Sequence, residues 1–183
     1  MIIVCTIDAN YMRHCAAMLS SLRDHNPGDD LSVYILHGPL EPSERARLVS
    51  FLSGFLPAVS FIQVDSTPLQ GFPVFGHVTV AAYFRLLLPS ILPAGLNKIL
   101  FIDADTIVTD SLRPLWTQAL NGLPIAAAAE QSQEQACRRL GIATGQYFNT
   151  GVILVDLQQW REIDVLSKGR RFVEAHPDRI AFW

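Results

Sequence analysis

Apolar residues follow two alternating rhythms along the chain. Ile2–Ile7 is a short β-branched run of the kind that forms a strand buried on both faces. Met12, Cys15, Ala16, Leu19 and Leu22 then recur at spacings of three and four, which predicts a helix, and Asn26-Pro27-Gly28 stops it. Residues 31–36 read as a second strand. Pro42 opens a second helix that carries Ala46, Leu48, Val49 and Leu52, and residues 59–64 read as a third strand. This β-α-β-α-β order predicts an α/β fold with a mostly parallel central sheet and helices on both faces.

Further along, residues 78–88 predict a helix that ends at Pro89. Lys98–Ile102 reads as a central strand. Residues 124–129 and 151–156 predict two more strands, with a Gln-rich polar loop between them. Val165, Leu166, Phe172 and Val173 form the apolar stripe of a last helix, and Lys168, Arg170 and Arg171 lie opposite. No repeat, low-complexity tract or linker divides the chain, so residues 1–183 are expected to form one domain. The chain stops at Ala181-Phe182-Trp183, where polar, frayed residues are usual, and an apolar end is expected where a further piece of the fold follows.

Composition narrows the function. Half the residues are hydrophobic and 17% are charged, which supports a sizeable core and excludes wholesale disorder. A net charge of −3 leaves no basic field to hold nucleic acid or an anionic membrane. Three cysteines without a CxxC pair argue against a disulfide framework or zinc knuckle and suit a reducing cytosol. No basic leader precedes the first apolar run. The most membrane-like stretch, residues 72–96, carries His77 and Arg85 and is broken by Pro73, Pro89 and Pro93. A cytoplasmic protein without a transmembrane segment is expected.

The strongest chemical signal is Phe101-Ile102-Asp103-Ala104-Asp105. Two carboxylates one residue apart, just past an apolar strand, sit where open α/β sheets bind ligands. Such hard oxygen ligands suit Mg²⁺ or Mn²⁺, which can bridge to a substrate's phosphates. Asp-x-Asp by itself is a common chance pattern and often a solvated turn; its place after Ile99-Leu100-Phe101-Ile102 gives it weight. Asp8-Ala9-Asn10-Tyr11 follows the first strand and so lies at the same sheet edge. Asp8 and Asn10 can hydrogen-bond a base edge and Tyr11 can lend its ring, although Asp8 or Asn10 also suits a plain helix N-cap. Neither GxGxxG nor GxxxxGK[ST] occurs.

Ile3-Val4-Cys5-Thr6-Ile7-Asp8-Ala9-Asn10-Tyr11, Tyr83-Phe84-Arg85-Leu86, Lys98-Ile99-Leu100-Phe101-Ile102-Asp103-Ala104-Asp105, Ser111-Leu112-Arg113-Pro114-Leu115-Trp116 and Tyr147-Phe148-Asn149-Thr150-Gly151-Val152 occur in one order. This ordered set resembles glycosyltransferase family 8, retaining enzymes that include bacterial lipopolysaccharide galactosyl- and glucosyltransferases and glycogenin. The resemblance covers essentially the whole chain. It implies a Rossmann-like nucleotide-sugar-binding domain of the GT-A type. It further implies transfer of galactose or glucose from UDP-galactose or UDP-glucose to a saccharide acceptor, with Mn²⁺ or Mg²⁺, in lipopolysaccharide or other surface glycan synthesis.

By the same resemblance, Thr6, Asp8, Asn10 and Tyr11 match positions that hold the uracil and ribose. Asp103 and Asp105 match the metal ligands, and Ala104 touches the ribose through its backbone. Arg85 matches an arginine facing the donor sugar and phosphates; its plainer role is a helix-face ion pair. Asn149, with Thr150 and Gly151, matches a loop lining the donor sugar, and an Asn there also suits a simple turn before a strand. Glu130 stands where the family often has an Asp that contacts the sugar. Ile7 stands where bacterial members often carry a second acidic residue.

The family's Asp-Gln-Asp segment falls at about the point where this chain stops. Its His-x-x-Gly-x-x-Lys-Pro-Trp motif, with the third metal ligand and a diphosphate-binding lysine, comes later still. No catalytic residue is therefore assigned here, and the chain is expected to lack the C-terminal part of the catalytic domain. Donor binding with little turnover is the corresponding expectation. His37 and His77 read as surface or turn residues. Peripheral attachment at the inner membrane stays open for a longer protein.

Two other readings compete. A magnesium-dependent aspartyl phosphatase also opens on strand-Asp-x-Asp, but needs a Thr two residues after the second Asp, where this chain has Ile107. An inactive UDP-sugar-binding domain would keep the donor residues and lack turnover.

Overall fold

The computed structural model describes residues 1–56, 58–74, 79–130 and 133–180. Six strands, β1 (Ile2–Ile7), β2 (Ser32–His37), β3 (Val59–Gln63), β4 (Lys98–Ile102), β5 (Ile125–Ala129) and β6 (Phe148–Asp156), form one sheet in the order β3-β2-β1-β4-β6-β5. The pairs β1–β2, β2–β3 and β1–β4 are parallel, whereas β6 runs antiparallel to both β4 and β5. Five strands therefore point one way and only β6 is reversed, so the expected mostly parallel sheet is mixed at this one strand.

Side-chain alternation splits the core into two layers. Ile3, Cys5 and Ile7 of β1, with Leu100 and Ile102 of β4, pack against Cys15, Met18, Leu19 and Leu22 of α1 (Met12–His25) and Leu48 and Leu52 of α2 (Pro42–Ser53). Val4, Ile99, Phe101, Ile153 and Val155 face the other way. They meet Phe84 and Leu87 of a 3-10 helix (Val80–Leu87), Leu88 of α3 (Leu88–Ile91), and Leu157 and Trp160 of α6 (Leu157–Glu162). The sheet is thus covered on both faces, as parallel strands require. The cysteines are free and buried, and Cys5 and Cys15 lie Sγ to Sγ at 3.8 Å beneath the β1–α1 turn.

Several elements differ from the sequence reading, each for a local reason. Pro89 does not end the helix before it but sits in the first turn of α3, where a missing N–H costs nothing. The preceding segment is a 3-10 helix; Val78, where the predicted helix begins, lies outside the described residues, as do His77 and Ala181-Phe182-Trp183. The Gln-rich loop contains α5 (Glu134–Leu140), which buries Ala136 and Cys137 and ends on Gly141 in the left-handed region at φ 72°. Short helices α4 (Arg113–Thr117) and α6 escaped prediction because one or two turns show no period. His37 is not a surface residue: it is 4% exposed at the end of β2, edge-on to Phe61. The last helix, α7 (Val165–Ala175), packs Val165, Leu166 and Val173 of the predicted stripe against the core, but Phe172 is exposed and meets His176 instead.

Candidate functional site

Consecutive strands β1, β2 and β3 are laid down in one direction from β1, and the chain then returns to place β4 on β1's other side. The gap between β1 and β4 is therefore the topological switch point, where loops diverge and leave a crevice at the strands' carboxyl ends. A cleft of about 210 Å³ opens there, lined by Thr6, Ile7, Asp8, Tyr11, Thr79, Ala81, Ala82, Arg85, Asp103, Ala104 and Asp105. Seven of the sequence candidates share it: Thr6, Asp8, Tyr11, Arg85, Asp103, Ala104 and Asp105.

The reversed direction of β6 brings in another group. Because β6 is antiparallel, its beginning rather than its end lies at this edge, with Ile102 opposite Val152 and the Asp103 N–H donating to the Gly151 carbonyl at 2.7 Å. Asn149, Thr150 and Gly151 thereby stand beside Asp103 without lining the cleft itself. The Asn149 side-chain oxygen accepts from the Gly151 N–H at 2.7 Å, and its amide approaches the Glu130 carboxylate at 3.5 Å. Glu130 is thus tied to the Asn149 corner and lies outside the cleft lining. Asn10 also lies outside: it is exposed, and its N–H donates to the Asp8 carboxylate at 2.8 Å. Asp8 is the N-cap that its sequence suggested and a cleft residue as well.

Arg85 holds the two halves of the site together. Its Nε donates to the Ala82 carbonyl at 3.0 Å, Nη1 to the Thr150 carbonyl at 2.7 Å and Nη2 to Asp103 Oδ1 at 2.9 Å. The guanidinium also lies 4.5 Å from the Phe101 ring centroid. The plainer reading, an ion pair, is met, although the partner is Asp103 across the cleft and not a neighbour on the helix face. Burial pushes the Asp103 carboxyl above its ordinary range, the neighbouring Asp105 adds to this, and Arg85 opposes it without reversing it.

The charge balance decides what this cleft can hold. Three carboxylates, Asp8, Asp103 and Asp105, face one guanidinium that is already engaged with a carboxylate. Such a lining repels a diphosphate unless a cation comes between them. Among the described residues no three His, Cys, Asp or Glu side chains cluster as a complete protein cage. Two neighbouring carboxylates suit a hard cation that takes its other ligands from water and substrate phosphates, as Mg²⁺ commonly does. Gly151 leaves the room: a Cβ there would stand 3.0 Å from Asp103 Oδ2. The residues present fit a divalent ion held by Asp103 and Asp105.

Sequence reasoning missed Ile7, Thr79, Ala81 and Ala82 as lining residues. Thr79 and the alanines had only a weak signal: a Thr and two small residues just ahead of the Tyr83-Phe84-Arg85 run.

An open, doubly covered sheet with an acidic pair at its switch point is the arrangement of a GT-A-type domain, and the backbone bears this out. Its backbone superposes on that of the galactosyltransferase LgtC, solved in complex with donor and acceptor sugar analogues, with a TM-score of 0.92 and 29% identity, covering 100% of this chain and 67% of LgtC. The chain belongs to glycosyl transferase family 8, whose model matches residues 2–182. Among curated relatives, general stress protein A of Bacillus subtilis is 28% identical over 179 residues, covering 96% of this chain and 63% of that protein. A lipopolysaccharide 1,2-glucosyltransferase of Escherichia coli K12 is 27% identical over 166 residues, covering 88% of this chain and 49% of that protein. The chain thus spans about half to two-thirds of the length of these relatives. No helix among the described residues is long and apolar enough to cross a membrane.

Proposed function

We propose that this domain binds a UDP-hexose, UDP-galactose or UDP-glucose, together with Mn²⁺ or Mg²⁺, and serves hexosyl transfer to a saccharide acceptor with retention. The observation that carries the reading is the meeting of Asp103, Asp105, Arg85, Asp8 and Tyr11 in one net-anionic cleft at the switch point. Membership of glycosyl transferase family 8 supports it.

In this reading Asp103 and Asp105 hold the cation, which when bound supplies Lewis-acid neutralisation of the departing diphosphate. Tyr11 offers its ring, and Asp8 its carboxylate, to the base; the backbone at Ala104 meets the ribose. Arg85 fixes the Asp103 carboxylate and the Thr150 carbonyl relative to each other, so that the diphosphate and sugar regions keep one geometry. The Asn149-Thr150-Gly151 corner borders the donor sugar, with Glu130 steadying Asn149. The aspartyl-phosphatase reading falls away, since the family match covers the chain from end to end.

The test pairs two assays. Calorimetric titration of UDP, with and without Mn²⁺, is expected to show binding that depends on the metal. Incubation with UDP-galactose and UDP-glucose, followed by release of UDP, reports turnover. Metal-dependent binding without UDP release would leave a binding domain; equal binding of UDP with and without metal would refute the proposal.

A further inference from the structure

Thr79 is the N-cap of the Val80–Leu87 3-10 helix, with extended backbone (φ −93°, ψ 171°), and its carbonyl accepts from the Ala82 N–H at 3.1 Å. At this position a Thr hydroxyl ordinarily turns inward and accepts from a first-turn N–H, which is why the residue type is favoured there. Here it makes no such bond. The hydroxyl instead donates across 71 residues of sequence to Asp8 Oδ2, at 3.4 Å. The other oxygen, Oδ1, accepts from the Asn10 N–H at 2.8 Å. Asp8 and Thr79 both line the cleft, so the contact runs between its two walls, from the β1–α1 turn to the helix that carries Arg85.

We infer that Thr79 is a positioning residue for base recognition: its hydroxyl fixes the Asp8 carboxylate so that the remaining lone pairs face the cleft and select a base bearing an N–H donor. This deepens the UDP-donor reading and rests on it. An ionised carboxylate accepts at about four lone-pair sites and donates at none, and Asn10 and Thr79 take one each. What remains is an acceptor set in a single orientation. Uracil presents N3–H to such a group; cytosine presents a bare ring nitrogen at the same place, which a carboxylate repels. Held firmly by the Asn10 N–H and more loosely by the Thr79 hydroxyl, Asp8 loses hydrogen bonds if it turns away to relieve that repulsion. The 3.4 Å separation is long for O–H···O, and occupancy by a base is expected to shorten it.

The experiment titrates UDP, CDP and inorganic pyrophosphate, each in Mn²⁺ buffer, into the wild-type chain and two variants. Thr79→Val keeps the shape and loses the donor; Thr79→Ser keeps the donor. For Thr79→Val the UDP dissociation constant is expected to rise about 3–5-fold, the net worth of one hydrogen bond. The UDP-over-CDP preference should shrink by a similar factor, pyrophosphate binding should not move, and Thr79→Ser should return UDP affinity to near wild type. Unchanged UDP affinity in Thr79→Val overturns the inference, as does equal weakening of all three ligands or failure of Ser to rescue. A wild-type chain that binds pyrophosphate but shows no preference for UDP overturns the uridine reading itself, a result distinct from indifference to Thr79.

Discussion

Gly151→Ala probes the room on which the metal-site argument depends. An added Cβ would stand 3.0 Å from both Asp103 Oδ2 and Asn149 Oδ1, where ordinary contact begins at 3.4 Å. Each oxygen must therefore retreat by roughly 0.4 Å, comparable with the tolerance of about 0.5 Å for a working site. Asp103 is poorly placed to yield. Its Oδ1 is held by Arg85 at 2.9 Å, and its N–H is held by the Gly151 carbonyl at 2.7 Å. Overpacking of this kind costs about 1–3 kcal/mol, and misplacing one of the two carboxylates proposed to hold the cation is expected to weaken Mn²⁺-dependent UDP binding about tenfold. Gly95→Ala, where a Cβ meets nothing within 4 Å, is the control and should bind as the wild type does. Calorimetric titration of UDP in Mn²⁺ buffer, with thermal denaturation to confirm folding, reads the effect. Wild-type affinity in a folded Gly151→Ala protein would mean that the placing of Asp103 does not govern UDP binding.

Three further outcomes follow from the structure. Arg85→Met removes three side-chain hydrogen bonds, one of them to a carboxylate, and should lower urea-unfolding stability by about 2–3 kcal/mol, with Arg85→Lys recovering little because an ammonium cannot fork between Thr150 and Asp103. Asn26 is 2% exposed and bonds the Leu22 carbonyl and the Leu112 N–H at 2.8 and 2.9 Å; Asn26→Ala strands that N–H, should cost about 2 kcal/mol, and should speed amide exchange at Leu112. Asp164 caps α7, and hydrogen bonds from Ser167 hold its carboxyl below the ordinary 3.8. A lowered carboxyl stabilises the fold above the ordinary carboxylate range, and this is lost as pH falls through the folded value. Asp164→Asn tolerates the φ of 48° and removes the charge, so the wild type should melt higher at pH 7, and the difference should vanish only as pH falls through the lowered folded value, below 3.8.

Most of the layered architecture was legible because buried strands advertise themselves. Ile3, Cys5 and Ile7 face one helix layer and Val4 the other, which a continuous apolar run encodes directly. The direction of β6 was not legible: Ile153, Leu154 and Val155 are buried whichever way the strand runs. Yet that reversal is what carries Asn149, Thr150 and Gly151 to Asp103. The acidic pair was readable from its place after β4, and Asp8 from its place after β1. Their separation across the cleft, and the Arg85 bridge between β4 and β6, come from packing over long sequence distances. Asn10 shows the opposite limit, since adjacency to Asp8 did not bring it into the cleft lining; Glu130, named by family resemblance alone, lies outside that lining too. Pro89 was misread because proline stops a helix in its interior and opens one in its first turn.

The most direct trial of the account replaces both acidic side chains at the tip of β4 with their amides. Uridine diphosphate is titrated in Mn²⁺ buffer into the wild-type chain and into Asp103→Asn, Asp105→Asn, with circular dichroism to verify that the double variant is folded. Metal-dependent binding is expected in the first and its loss in the second. Equal affinity in the two proteins would mean that Asp103 and Asp105 do not hold the cation that binds the diphosphate.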